Sequence, residues 1–92
     1  LTRFGRMRLN FLKEHHKIIY TNMLTNNTLN EHLQSIDDEA NQLYDKLIDD
    51  HKKKRNITEE LKEKNQLEWI QEMNNIENCV MEVILIEVIY SL

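Results

Sequence analysis

The sequence predicts an all-α protein, either a three-helix bundle or a helical hairpin with a long C-terminal helix, and one that dimerises. Three observations predict it. The 92 residues include no proline and a single glycine, so the turn material that sheets and long loops need is missing. Apolar residues recur at intervals of three and four, not at every second position. Cys79 to Tyr90 is apolar apart from Glu82 and Glu87, and so small a chain has few ways to cover such a segment.

The first predicted helix spans Phe4–Leu24. Phe4, Met7, Phe11 and Ile18, with Leu12, Ile19 and Met23, make a broad apolar face, and Arg6, Arg8, Lys13, Glu14 and Lys17 do not alternate with it. Thr25-Asn26-Asn27 ends it, because short polar side chains compete for backbone hydrogen bonds.

The second helix spans Leu29–Arg55. Thr28 and Glu31 have the spacing of a capping box. Leu29, Leu33, Ile36, Ala40, Leu43 and Leu47 follow at intervals of 4, 3, 4, 3, 4, a stripe suited to a partner helix at a small crossing angle. Asp37, Asp38 and Glu39 fall off that stripe. Lys52-Lys53-Lys54-Arg55 complements the negative end of the helix dipole.

The third helix spans Glu59–Tyr90, about 48 Å at 1.5 Å per residue. Thr58 is its expected N-cap, with Glu59 and Glu60 in the first turn. Trp69, Met73, Ile76, Val80 and Val83 form the stripe, broadened by Ile70, Ile84, Leu85, Val88 and Ile89. From Val80 onward nearly the whole circumference is apolar, and a helix apolar on most sides is buried on most sides. A second copy is expected to supply the missing cover, through Trp69, Met73, Val80, Ile84 and Val88. The dense β-branched residues of Val83–Tyr90 would also suit a strand, but no partner strand exists elsewhere. The three helices form one domain over residues 1–92. Because the chain opens on Leu1, a preceding segment is expected.

The net charge of −4 hides a split. Residues 1–27 carry Arg3, Arg6, Arg8, Lys13 and Lys17 against Glu14, a net of +4, so the remainder sums to −8. Those five cations either complement the acidic helices internally or face a polyanion, and they are the candidate DNA or partner contacts. Lys52–Arg55 is a second basic run. No helix-turn-helix signature accompanies either.

No constellation for chemistry stands out. His15, His16, His32 and His51 lack metal-ligand spacing. Glu14 beside His15, and the aspartates 37, 38, 45, 49 and 50, lack a second convergent cluster. The reading is therefore a non-enzyme with no cofactor and no metal. Cys79 is the only cysteine, expected as a small buried hydrophobe. Tyr20, Tyr44 and Tyr90 should lay their rings on the core with hydroxyls toward water. The apolar tail is too short to span about 30 Å of hydrocarbon, and no signal peptide opens the chain, so no membrane contact and a cytoplasmic location are expected.

Several segments carry a family resemblance, in order along nearly the whole chain. They are Gly5-Arg6-Met7-Arg8, Phe11-Leu12-Lys13-Glu14-His15, the stretch from Leu24 through Leu29-Asn30-Glu31-His32-Leu33, and Ile36-Asp37. Thr58-Glu59-Glu60-Leu61-Lys62, Asn65-Gln66-Leu67-Glu68-Trp69, Met73-Asn74-Asn75-Ile76, Glu82 to Glu87 and Ile89-Tyr90 continue the series. Together they resemble the TnpV family of proteins encoded on bacterial conjugative and mobilisable elements. Members usually carry a further N-terminal stretch, and tend to have Ser-Gly near Asn26-Asn27, where asparagine would here fill a left-handed position. The resemblance transfers no catalytic residue. With the absence of catalytic residues it points to a non-enzymatic accessory or interaction protein of a mobile element; the expected partners are a second copy through the apolar third helix, DNA through the five cations, or a protein of the same element. The alternative is a DNA-binding regulator of transposition or element transfer.

Overall fold

The computed structural model describes residues 1–92. Its elements are α1 (Arg3–His15), α2 (Lys17–Thr25), α3 (Leu29–Arg55), α4 (Glu59–Lys64) and α5 (Gln66–Ile84), closed by a π-helical turn, Leu85–Ile89. Helices α3 and α5 form an antiparallel hairpin with α4 at its tip; α1 packs on α3 and on the π turn, and α2 lies against α1 and α3. The result is a rod of 55 × 19 × 17 Å. The all-α expectation holds, as does the packing of long helices on one another.

Two of the three expected helices are interrupted. The first breaks at His16, whose backbone leaves the helical region at φ −141°, ψ 58°. Its ring lies edge-on to Phe11, with centroids 4.8 Å apart. No residue type at this position announces a break. The third breaks at Asn65, at φ −148°, ψ 84°. Here the cause is local: the Asn65 side chain accepts from Glu68 N–H at 3.2 Å and donates to its carboxylate at 3.3 Å. Such a cap starts a new helix at Gln66, just ahead of the stripe that begins at Trp69.

The turns close as asparagine chemistry dictates. Asn27 and Asn56 hold φ of 60° and 58°, the left-handed region that asparagine tolerates better than most residues. Around Asn56, Ile57 N–H reaches Lys52 O at 2.9 Å and Asn56 N–H reaches Lys53 O at 3.3 Å, the paired bonds of a Schellman closure. Around Asn27 the same pair runs from Thr28 N–H to Met23 O and from Asn27 N–H to Leu24 O. That closure displaces the expected capping box. The Thr28 side chain accepts nothing from α3 and instead turns its hydroxyl back toward Met23 O at 3.5 Å. Thr58 does cap α4, accepting from Leu61 N–H at 3.4 Å.

The core is Phe4, Ala40, Ile57, Ile76, Val80, Ile84, Val88 and Ile89, with Phe11, Leu12 and Leu33 also buried. The α3 stripe faces inward as read: Leu33 and Ala40 are buried, and Ile36, Leu43 and Leu47 pack against the core. The subunit seam expected on the third helix is different. Val80, Ile84 and Val88 are already buried within one chain, and Trp69 and Met73 are half-buried against the same core. Their burial is the work of α3 and α4 along α5, and of α1 and α3 at the π turn. Cys79, expected inside, is exposed. Asp37, expected off the stripe and in water, is buried. The π turn explains how the consecutive residues Val88 and Ile89 are both buried, since its wider turn changes the angle between successive side chains.

Candidate functional site

Two buried charges close two helix ends, and α1 carries one end of each arrangement. At its N-terminus α1 has no side-chain cap of its own. Asp37, from the middle of α3, supplies it. The carboxylate accepts from Thr2 N–H at 3.1 Å, from the Thr2 hydroxyl and from Gly5 N–H at 2.9 Å. A carboxylate facing free N–H groups is the favourable charge at a helix start. Burial alone would push the Asp37 carboxyl up, but the hydrogen bonds from Thr2 and Gly5 outweigh it and hold it below the usual carboxylate range. Glycine fits here because a Cβ on residue 5 would stand 3.3 Å from the Asp37 oxygen and 2.8 Å from Leu1.

Arg8 makes the opposite match. Its side chain is buried, and its Nη1 donates to Ile89 O at 2.9 Å and to Ser91 O. A cation thus meets the unsatisfied carbonyls where the last helix ends. The Nε–H donates to His32 Nε2 at 3.2 Å, so that nitrogen carries no proton and the imidazole is neutral. Burial, and then the charge of Arg8, hold the His32 pKa below its ordinary value. Burial also lowers Arg8, against the opposing charge of Glu39. Sequence reading left Arg8 either an internal complement or a DNA or partner contact; it is a structural cation inside the fold.

The other four expected contact cations stay at the surface. Arg3 lies over the Phe4 and Tyr44 rings, with centroids 5.0 and 5.2 Å away. Lys13 approaches the Tyr20 ring at 5.7 Å. Arg6 and Lys17 are exposed. None of these four joins an ion pair; the pairs in the chain are Glu14–His15, Asp49–Lys53 and Arg55–Glu72.

Two apolar surfaces are uncovered: sequence reading expected one on the third helix but assigned other residues to it, and missed the one on α2. Helix α2 contains Ile18, Ile19, Tyr20, Met23 and Leu24, yet buries none of its residues, and Ile18 is 78% exposed. Cys79 and Val83 on α5 and Ile86 on the π turn are exposed, Ile86 to 72%. The signal for the second surface was present, since an all-round apolar segment must leave one side uncovered when only α3 lies along its C-terminal half and α1 reaches just the π turn. Beside these surfaces a shallow concavity of about 410 Å³ is lined by Met7, Asn10, Phe11, Glu14, His15 and Tyr90. Its floor is the edge-on stack of Phe11 on Tyr90, with centroids 5.2 Å apart. Glu14 and His15 lie 3.9 Å apart there, both well exposed, which gives an ordinary surface pair.

No group of three or more His, Cys, Asp or Glu side chains is placed to hold a metal ion. No helix is long and apolar enough to cross a membrane. Among known proteins, residues 1–89 match the profile of the family described as transposon-encoded protein TnpV. No curated protein matches the chain. No solved structure matches it either.

Proposed function

Because the chain belongs to the TnpV family of transposon-encoded proteins, we propose that it is a non-enzymatic accessory protein of a bacterial mobile element, working by contact with a protein of the same element. The observation that carries this reading is α2. Nine residues are too few for a stable helix in water unless an apolar face is covered. Here five of the nine are apolar, none is buried, and Ile18 points outward beside Lys17. An acidic, apolar segment of a partner protein would suit that surface.

The test is co-expression of the tagged chain with each protein encoded on the same element, followed by purification and measurement of the complex mass. We expect one stoichiometric complex, lost on Ile18→Asp with helicity unchanged. Failure of every co-encoded protein to associate would overturn the reading.

The second reading, a DNA-binding regulator, has its own observation: Arg3, Arg6, Lys13 and Lys17 are exposed and lack carboxylate partners. Phosphate contacts make binding strongly salt-dependent. Fluorescence anisotropy with a labelled duplex distinguishes it. Binding that weakens steeply with salt and on Arg6→Glu with Lys13→Glu would favour this reading; no duplex binding at low salt removes it.

A further inference from the structure

Arg8 is bonded on two sides, and one of the two bonds depends on a proton. Its Nη1 donates to the carbonyls of Ile89 and Ser91, and its Nε–H donates to His32 Nε2 at 3.2 Å. The second bond exists only while Nε2 keeps a lone pair, and an imidazolium has none. A proton on His32 would remove the acceptor and set two cations side by side. Arg8 cannot relieve this by losing its own charge, since a guanidinium stays protonated in proteins. Relief has to come from movement. His32 is half-buried, so solvent protons reach it, whereas the Arg8 side chain is buried. Helices α1 and α3 are held to one another by the core and by the Asp37 cap. The chain end has less to hold it: Tyr90 is 53% exposed and Leu92 72%.

We propose that His32 and Arg8 form a proton-operated latch on the end of the chain. With His32 neutral, Arg8 is held in place and grips the carbonyls of Ile89 and Ser91. With Nε2 protonated from solvent, Arg8 withdraws from those carbonyls, and the residues from Tyr90 onward detach. The Tyr90 N–H then leaves Leu85 O, to which it donates at 2.8 Å, and the Tyr90 ring leaves Phe11. Phe11, buried while Tyr90 lies on it, is uncovered at the floor of the concavity. Proton uptake on α3 is thus coupled to the exposure of an apolar ring on α1. The elements around the pair carry further titratable groups: Glu14 and His15 on α1, His16 at its end, Lys17 on α2, Glu31 and Glu39 on α3, Glu82 on α5 and Glu87 on the π turn. All are exposed except His16, which is half-buried against Phe11. None of them hydrogen-bonds to Arg8 or His32, and Glu39 acts on Arg8 through its charge alone. The lowered pKa of His32 has the sign that this coupling requires.

The experiment is an NMR titration of the full chain from about pH 7.5 downward to about pH 4.5, through the range in which histidine takes up its proton, with circular dichroism as the check on folding. The His32 ring protons report the protonation, and the Overhauser contact between the Phe11 and Tyr90 rings reports the latch. That contact should lose most of its intensity with the same midpoint as the His32 ring, while helicity stays unchanged. His32→Gln keeps a neutral acceptor for the Arg8 Nε–H, so in this variant the contact should persist throughout. A ring contact that survives the protonation of His32 overturns the proposal, because His32 then turns into solvent and leaves Arg8 where it is. So does a loss whose midpoint differs from that of His32, or one that remains in His32→Gln, since His15 or His16 would then be its source. Helicity that falls together with the contact would also overturn it, because acid would then unfold the chain and open no latch.

Discussion

The two ends of the rod are closed by different kinds of interaction. At the hairpin tip, every closure is local. Asn56 turns the chain in the left-handed region, Thr58 caps the next residues, and Asn65 caps α5. The ion pairs near the tip, Asp49–Lys53 at 3.0 Å and Arg55–Glu72 at 3.4 Å, are exposed or partly exposed. At the other end the Asn27 turn is also closed locally, but two further closures are long-range and buried: Asp37 reaches the start of α1 from 32 residues away, and Arg8 reaches Ile89 across 81. Local caps hold a turn whether or not the rest of the chain has packed. The buried pair can form only once α1, α3 and the end of α5 are together, so it couples the helices to one another.

That contrast can be broken most forcefully in the apolar core. Ile84 is fully buried, and Ile84→Ala should cost about 2–5 kcal/mol in urea unfolding. The same experiment on exposed Ile86→Ala should change stability by no more than about 0.5 kcal/mol under conditions where the chain is monomeric.

Next come the charges. Arg8→Met leaves the carbonyls of Ile89 and Ser91 without their donor, and Asp37→Ala leaves the first N–H groups of α1 uncapped. Each should cost about 1–3 kcal/mol. Hydrogen exchange should localise the two effects differently. Arg8→Met should deprotect the π turn first, and Asp37→Ala the first turn of α1. Equal loss of protection over the whole chain in both variants would mean that the two charges do not act on separate helix ends.

Acid should separate the same end from the tip. His32 has a folded pKa below its ordinary 6.5, so the unfolded chain takes up the proton first; its contribution is complete above 6.5 and is lost as pH falls through the folded value. Asp37 is also depressed, below 3.8, so its contribution is complete above 3.8 and disappears as pH falls further. Urea midpoints measured against pH should fall first below 6.5 and again below 3.8. His32→Gln should remove the first decline and Asp37→Asn the second. A profile unchanged by either substitution would refute the assignment.

The smallest effects belong to the tip. Asn56→Ala places a Cβ-bearing residue without asparagine's local hydrogen bonds at φ 58° and should cost about 1 kcal/mol; Asn56→Gly should be neutral or slightly stabilising. Glu72→Gln should cost at most about 0.5 kcal/mol, as exposed pairs do. A cost at Glu72 equal to that at Asp37 would erase the distinction between the ends.

The same division decides what the sequence disclosed. The α3 stripe, the Thr58 cap and the left-handed Asn27 were legible because each depends on neighbours within about two turns. The family resemblance was legible for a similar reason, through short segments in a fixed order. Asn65 was legible in principle, since Asn65 and Glu68 have cap spacing, but Thr58 offers a stronger N-cap seven residues earlier and no proline or glycine marks a second start. His16 carried no such signal. Asp37 was misplaced, and the choice for Arg8 was left open, because a charge between apolar positions reads as solvent-facing until its distant partner is known. The outward Val83 and Ile86 were hidden by the reverse problem. Periodicity identifies the apolar sides of a helix, but not how many neighbours arrive to cover them.

The π turn at Leu85–Ile89 has a consequence for chain length. A helix can absorb one additional residue as a wide turn and leave the segments on either side in register. Read backwards, this stretch holds one residue more than a regular helix would use to reach the same end point. It is therefore a place where the chain could lose a residue by deletion and still deliver its final carbonyls to Arg8. A deletion in the middle of α3 would have no such slack to draw on, because it would rotate every later apolar side chain off the stripe.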